Sequence, residues 1–142
     1  MTTKTKTVKL PRKMSALITL ALADLAKCER SEKYAVCMGG WHEPDTFSGT
    51  CYVCFAGAVM AKTLDADMAR VFTPDHFAGN KDQLMVLNYL REGRVVQAAW
   101  QLRLSRSDVD KAHAFDRSVD NDPKQFRADM RKLARELEAV GL

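Results

Sequence analysis

The sequence has no apolar run long enough to cross a membrane as a helix. The longest uninterrupted run, Cys51–Ala61, covers eleven residues, whereas a helical span needs about 20. A second apolar stretch, Met14–Ala23, follows basic residues as in an export signal, but it ends at Asp24 and lacks a small-residue cleavage site. We therefore expect a cytoplasmic protein with no membrane segment.

Cysteines are few, but their even number would allow two disulfides in a secreted protein. The four are Cys28, Cys37, Cys51 and Cys54. Only the last two form a close Cys-x-x-Cys pair, whereas structural zinc sites commonly show two such pairs. Without an export signal, we expect reduced thiols that pack in the interior. We expect no metal and no cofactor, but if a metal binds, the candidate ligands are Cys37, His42, Cys51 and Cys54.

The excess positive charge is confined to the beginning of the chain. The net charge is +4, and the first thirteen residues contain five cations and no acid. The remaining chain is therefore close to neutral, which does not favour a large nucleic-acid surface. We predict a flexible basic tail over residues 1–12 and a single helical domain over residues 13–142.

The composition indicates one globular, mainly helical domain. A chain of 142 residues with 46% hydrophobic residues is long enough to bury its own core. The segment Cys54–Ala61 has no polar side, so we interpret it as a buried central helix. We predict a compact fold of about five helices around it. At most, we expect a short two-stranded β element near residues 34–38 and 50–53.

Amphipathic patterns predict the surrounding helices. Asn80 and Gln83 have the spacing of a capping box, and Gly93 is suited to end the helix that follows. Asp122-Pro123 predicts the beginning of a last helix, whose apolar stripe is Phe126, Met130, Leu133 and Leu137. The other predicted segments are a first helix over 12–29, a helix over 94–104, and shorter helical turns within 64–72 and 108–115.

A loop at residues 41–49 brings aromatic and ionisable groups together. It follows Gly39-Gly40 and contains several turn-forming residues, and such loops are common sites of recognition. Alternatively, Trp41 folds back over the core while the polar residues are solvated. The predicted partner-binding residues are Trp41, His42, Glu43 and Asp45.

The string Cys51-Tyr-Val-Cys-Phe-Ala56 is similar to the nucleophile region of papain-like cysteine proteases, in which the second cysteine opens a buried helix. The resemblance implies Cys54 as nucleophile, with His42, His76 or His113 as the base. The rest of the chain reads as helices where that family has a β-rich half. A cysteine- or zinc-dependent enzyme is therefore a second alternative, and we expect no catalytic residues.

The segment Val95–Ala112 resembles the helix-turn-helix of phage repressors. Ala99 matches the small residue at which the two helices cross, but Arg103 stands where the turn favours glycine. The resemblance implies a DNA-binding regulator whose second helix enters the major groove. Its DNA-contacting residues would be Ser105, Arg106, Ser107 and Lys111.

Residues 34–61 resemble small uncharacterised cytosolic proteins encoded by tailed phages and prophages. The resemblance rests on Tyr34-x-x-x-Met38-x-x-Trp41-His42 followed by Cys51–Ala61. It implies an accessory protein in the host cytoplasm that binds a host or phage protein and so inhibits or redirects a host or defence factor. Our leading hypothesis is therefore protein-protein binding, with the DNA-binding regulator as the alternative.

Overall fold

The computed structural model describes residues 8–102 and 123–142. Helices predominate in these two ranges, which confirms the mainly helical prediction. None of the described helices is both long and apolar enough to cross a bilayer. The elements in chain order are α1 (Met14–Glu29), β1 (Tyr34–Val36), β2 (His42–Pro44), β3 (Cys51–Val53), α2 (Phe55–Lys62), a 3₁₀ helix (Pro74–Asn80), α3 (Lys81–Arg91), α4 (Val95–Gln101) and α5 (Pro123–Ala139).

Helix α2 lies at the centre of the molecule, as its uniformly apolar sequence predicts. Every residue from Phe55 to Ala61 is buried. The helix packs against α1, α3 and the sheet. Its first turn is capped by Cys54, whose sulfur accepts a hydrogen bond from the Gly57 backbone N–H at 3.4 Å. The predicted buried central helix is therefore confirmed.

Helices α1 and α5 enclose one side of α2. They pack against each other, and the ring of Phe126 in α5 meets that of Phe55 edge to face at 4.9 Å. The predicted stripe on α5 is the buried one, because all four of its apolar residues face the core. These residues are Phe126, Met130, Leu133 and Leu137.

The β element has three strands, so the prediction of at most two was wrong. The order is β1-β3-β2, with β1 parallel to β3 and β2 antiparallel to β3. The unexpected strand is β2, which lies inside the predicted loop. Its three residues include Pro44 and show no strand propensity of their own, but they complete a hairpin with β3 that satisfies backbone groups on both strands.

The connection between α2 and the 3₁₀ helix contains turns where we predicted helical turns over residues 64–72. Asp65 has a left-handed φ of +54°, which interrupts a right-handed helix. Two residues later, the Asp67 carboxylate accepts the Ala69 N–H at 2.9 Å and stabilises a local turn instead of a helical ladder.

Asn80 tethers the N-terminal segment and does not form the predicted capping box with Gln83. Helix α3 begins directly after it, as expected, but no side-chain cap is present. The Asn80 amide instead accepts the Leu10 N–H at 3.3 Å and donates to the Val8 carbonyl at 2.8 Å. Leu10 is buried in the core, so the packed domain begins earlier than the predicted boundary at residue 13.

Candidate functional site

The β2–β3 hairpin ends in a turn organised by Asp45. One carboxylate oxygen accepts the Phe47 N–H at 3.0 Å, and the other accepts the Ser48 hydroxyl at 2.9 Å. The first of these bonds, helped by the second, holds the pKa of Asp45 below its usual range. The backbone closes at Gly49, which has a φ of +73° and donates to the Asp45 carbonyl. The turn is therefore held in one shape.

Three large apolar or aromatic side chains are exposed on the hairpin and at the edge of the sheet. Phe47, at the tip of the turn, is 100% exposed, and Tyr52 in the middle strand is 37% exposed. Glu43 is the exposed partner of Tyr52 across the β2–β3 pair. An isolated bridge from His42 to Phe72 continues the sheet past β2 and brings Val71, 58% exposed, to the same edge. We call Glu43, Phe47, Tyr52 and Val71 the hairpin face.

His42 points to the opposite, inward side of the sheet and is fully buried. Its Nδ1 lies 2.9 Å from the Arg70 carbonyl, so Nδ1 carries the proton and donates it. Nε2 lies 3.5 Å from the Cys51 sulfur and can accept the thiol proton. Burial lowers the pKa of His42. The prediction that His42 contacts a partner is therefore wrong, because the ring forms part of the core.

Trp41 also folds back toward the core, as our alternative interpretation predicted, but that interpretation left His42 solvated, which the burial of His42 contradicts. Its side chain is partly buried, and its carbonyl accepts the Cys54 N–H at 3.2 Å. Asp45 organises the turn. Of the four residues predicted to bind a partner, Glu43 alone belongs to the hairpin face.

The buried thiols have the opposite acidity to that of catalytic cysteines. Burial raises the pKa of Cys51 to about 11 and also raises the pKa of Cys54. A nucleophilic thiol requires a lowered pKa beside a proton acceptor. His42 contacts Cys51, not the predicted nucleophile Cys54, and His76 is exposed with Nδ1 bonded to Thr73. The described geometry does not support the protease resemblance, while His113 lies outside the described residues.

The four candidate metal ligands are not brought together. Cys37 is exposed, whereas Cys51 and Cys54 are buried, and Cys54 is engaged as the cap of α2. His42 and Cys51 form a pair, with Nε2 of His42 3.5 Å from the Cys51 sulfur. Within residues 8–102 and 123–142, no group of three or more His, Cys, Asp or Glu side chains is placed to hold a metal ion.

Part of the predicted helix-turn-helix can be located. Helix α4 coincides with the beginning of its first helix, and Ala98 and Ala99 are buried where α4 packs against α3. The predicted DNA-contacting residues lie outside the described residues, so DNA binding stays a prediction. They are Ser105, Arg106, Ser107 and Lys111.

Comparison of the chain with protein-family models, curated proteins and solved structures gave no match. The phage resemblance of residues 34–61 therefore stays a prediction.

Sequence reasoning did not single out Phe47. The available signal was its position between Asp45 and Gly49, in a segment rich in turn-forming residues. A turn of this kind offers no core position to an aromatic side chain, so the ring is left in solvent.

Proposed function

We propose that this protein is a phage or prophage accessory protein that acts by binding another protein through the hairpin face. The observation that carries the proposal is the fully exposed ring of Phe47 on a turn held by hydrogen bonds. The partner is a host or phage protein in the host cytoplasm, and binding inhibits or redirects it. The phage assignment follows the resemblance of residues 34–61.

The energetics favour Phe47 as the main contact. A phenylalanine ring that passes from water into an apolar pocket contributes about 2–3 kcal/mol, and a few such residues dominate most interfaces. The Asp45 turn already fixes the backbone on both sides of Phe47, so binding orders only the ring itself. A preorganised contact loses less of its energy to conformational entropy.

The rest of the hairpin face provides a surround for this anchor. Tyr52 presents an aromatic ring with a hydroxyl, and Val71 adds apolar surface at the sheet edge. Glu43 is exposed and lies across from Tyr52 in the β2–β3 pair, with its carboxylate beside Gly40. An apolar centre with polar groups beside it is typical of protein interfaces.

The test compares partner capture by the native protein and by Phe47→Ala. Trp100→Ala is the matched control, because Trp100 is also a largely exposed aromatic, at 65%, but lies on α4. A protein retained by the native chain is identified by mass spectrometry, purified and titrated directly. We expect Phe47→Ala to weaken its binding at least about 30-fold and Trp100→Ala to leave it unchanged.

Equal losses in the two variants would contradict the proposal, as would undiminished binding by Phe47→Ala. Both substitutions remove exposed side chains, so the stability of the fold should change little. A thermal unfolding measurement on each variant checks that the comparison concerns binding alone.

A further inference from the structure

A second surface feature lies between the α2–3₁₀ connection and the 3₁₀ helix. It is an open groove of about 380 Å³, which is within the range of small-ligand sites. We call it the aromatic groove. Its lining includes Leu64, Asp65, Asp67, Phe72, His76 and Phe77, and it also takes in Val8 and Asn80.

Three rings form the wall of the aromatic groove. Phe72 lies 5.6 Å from Phe77, with a 40° angle between the planes, and 5.3 Å from His76 in an edge arrangement. Phe72 and Phe77 are both partly exposed, so solvent reaches this cluster. Aromatic faces carry partial negative charge and attract cations that lie over them.

Two carboxylates complete the groove. Asp65 and Asp67 are both exposed, and both belong to the lining of the groove. The left-handed φ at Asp65 and the hydrogen bond from the Ala69 N–H to the Asp67 carboxylate fix the backbone conformation at these two residues. Acidic groups beside aromatic rings therefore combine two independent attractions for a cation.

The molecule itself shows that Phe72 accepts a guanidinium. The central carbon of the Arg70 guanidinium lies 5.7 Å from the centre of the Phe72 ring. Arg70 is exposed. Asp65 and Asp67 together carry one more formal charge than the guanidinium of Arg70.

We propose that the aromatic groove binds the guanidinium group of an arginine side chain carried by a protein partner. A guanidinium fits better than an ammonium, because it is flat, weakly hydrated and able to bond a carboxylate while it stacks on a ring. The inference rests on the proposed function, since a protein partner supplies the arginine. It concerns a different surface, which makes the two separable.

The test uses a synthetic pentapeptide, acetyl-Gly-Gly-Arg-Gly-Gly-amide, titrated into the purified protein at low salt and followed by calorimetry or NMR. The matched probe contains citrulline, which has the same shape as arginine and no charge. We expect the arginine peptide to bind roughly three- to fivefold more tightly than the citrulline peptide. Equal affinities, or no binding of either peptide, would overturn the inference, as would tighter binding of a free methylguanidinium ion than of the peptide.

Conservative variants localise the effect. Asp65→Asn with Asp67→Asn removes both charges, while asparagine tolerates the left-handed backbone and keeps the oxygen that accepts the Ala69 N–H. We expect this pair to abolish the preference for arginine over citrulline and Phe77→Ala to reduce it. Asp129→Asn with Glu138→Gln makes the same charge change on α5 and should preserve the preference, whereas a loss there would point to long-range electrostatics and overturn the site.

Two further variants separate this inference from the proposed function. Arg70→Gln removes the competing cation and should tighten the arginine peptide about twofold. Phe47→Ala should leave peptide affinity unchanged, even though it weakens binding of the protein partner at least about 30-fold. Failure of the aromatic groove is thus read from the peptide titration, and failure of the hairpin face is read from partner capture.

Discussion

Gly57 is the position at which α2 passes closest to the beginning of β2, and Gly57→Ala tests that packing. A Cβ atom there would lie 1.6 Å from the Trp41 carbonyl oxygen and 2.7 Å from its carbonyl carbon. It would also lie 3.2 Å from Cβ of Val53, inside the roughly 3.4 Å at which ordinary contact begins. The Trp41 atoms that the added methyl would meet belong to the backbone, so no side-chain rotation can relieve the clash.

The magnitude follows from three opposing contributions. Alanine improves helix propensity by about 1 kcal/mol relative to glycine. Overpacking against backbone costs about 3 kcal/mol, the upper end of the usual range, and separation of the two elements breaks the Cys54–Trp41 hydrogen bond, which contributes about 1 kcal/mol. We therefore expect a net loss of about 3 kcal/mol in the free energy of unfolding.

Urea denaturation followed by circular dichroism measures this loss. The matched control is Gly79→Ala, where an added Cβ meets nothing within 4 Å and the change should stay within about 0.5 kcal/mol. If the free energy of unfolding of Gly57→Ala lies within about 1 kcal/mol of the native value, the close approach of α2 to Trp41 is refuted. If Gly57→Ala fails to fold while Gly79→Ala folds normally, the result agrees with the expectation.

Three further predictions concern the core and its edges. At pH 8, a chromogenic disulfide reagent should label Cys37 rapidly in the folded protein and the three buried thiols only after denaturation. Rapid labelling of a second thiol in the folded protein would contradict the described packing. Because burial lowers the pKa of His42 below 6.5, its contribution to stability is complete above that pH and declines as the pH falls through it. Urea midpoints measured from about pH 7.5 to 5 should show a drop that His42→Gln lacks, and parallel curves would refute the assignment. Asn80→Ala should lower the free energy of unfolding by about 1–3 kcal/mol and speed tryptic cleavage after Lys9. An unchanged cleavage rate would show that the Asn80 amide does not hold the N-terminal segment in place.

The helices could be predicted because their sequences repeat apolar residues at helical spacing. The apolar stripe from Phe126 to Leu137 predicts both that α5 is a helix and which side of it is buried. The segment Cys54–Ala61 has no polar side, which predicts that α2 is central. The strand β2 was missed because three residues that include a proline carry no periodic signal. Its existence is decided by pairing with β3, which is a tertiary effect.

The sequence could not predict which hairpin residues face the core, because this also depends on how the strands pair. Successive residues of a strand face opposite sides, so a shift of one residue exchanges the buried and exposed sets. His42 and Glu43 are both polar, and nothing in their chemistry shows which one enters the core. Burial of the histidine becomes favourable once the Arg70 carbonyl and the Cys51 thiol are placed beside it, and those neighbours come from distant parts of the chain.

The arrangement of the sheet has a consequence for how this protein can change over generations. The strands pack against α1 and α2, and Tyr52 and Glu43 lie on the exposed side of the sheet. Substitutions there can change the exposed surface at almost no cost in folding free energy. The tightly constrained pair of Gly57 and Trp41 beneath tolerates no such change.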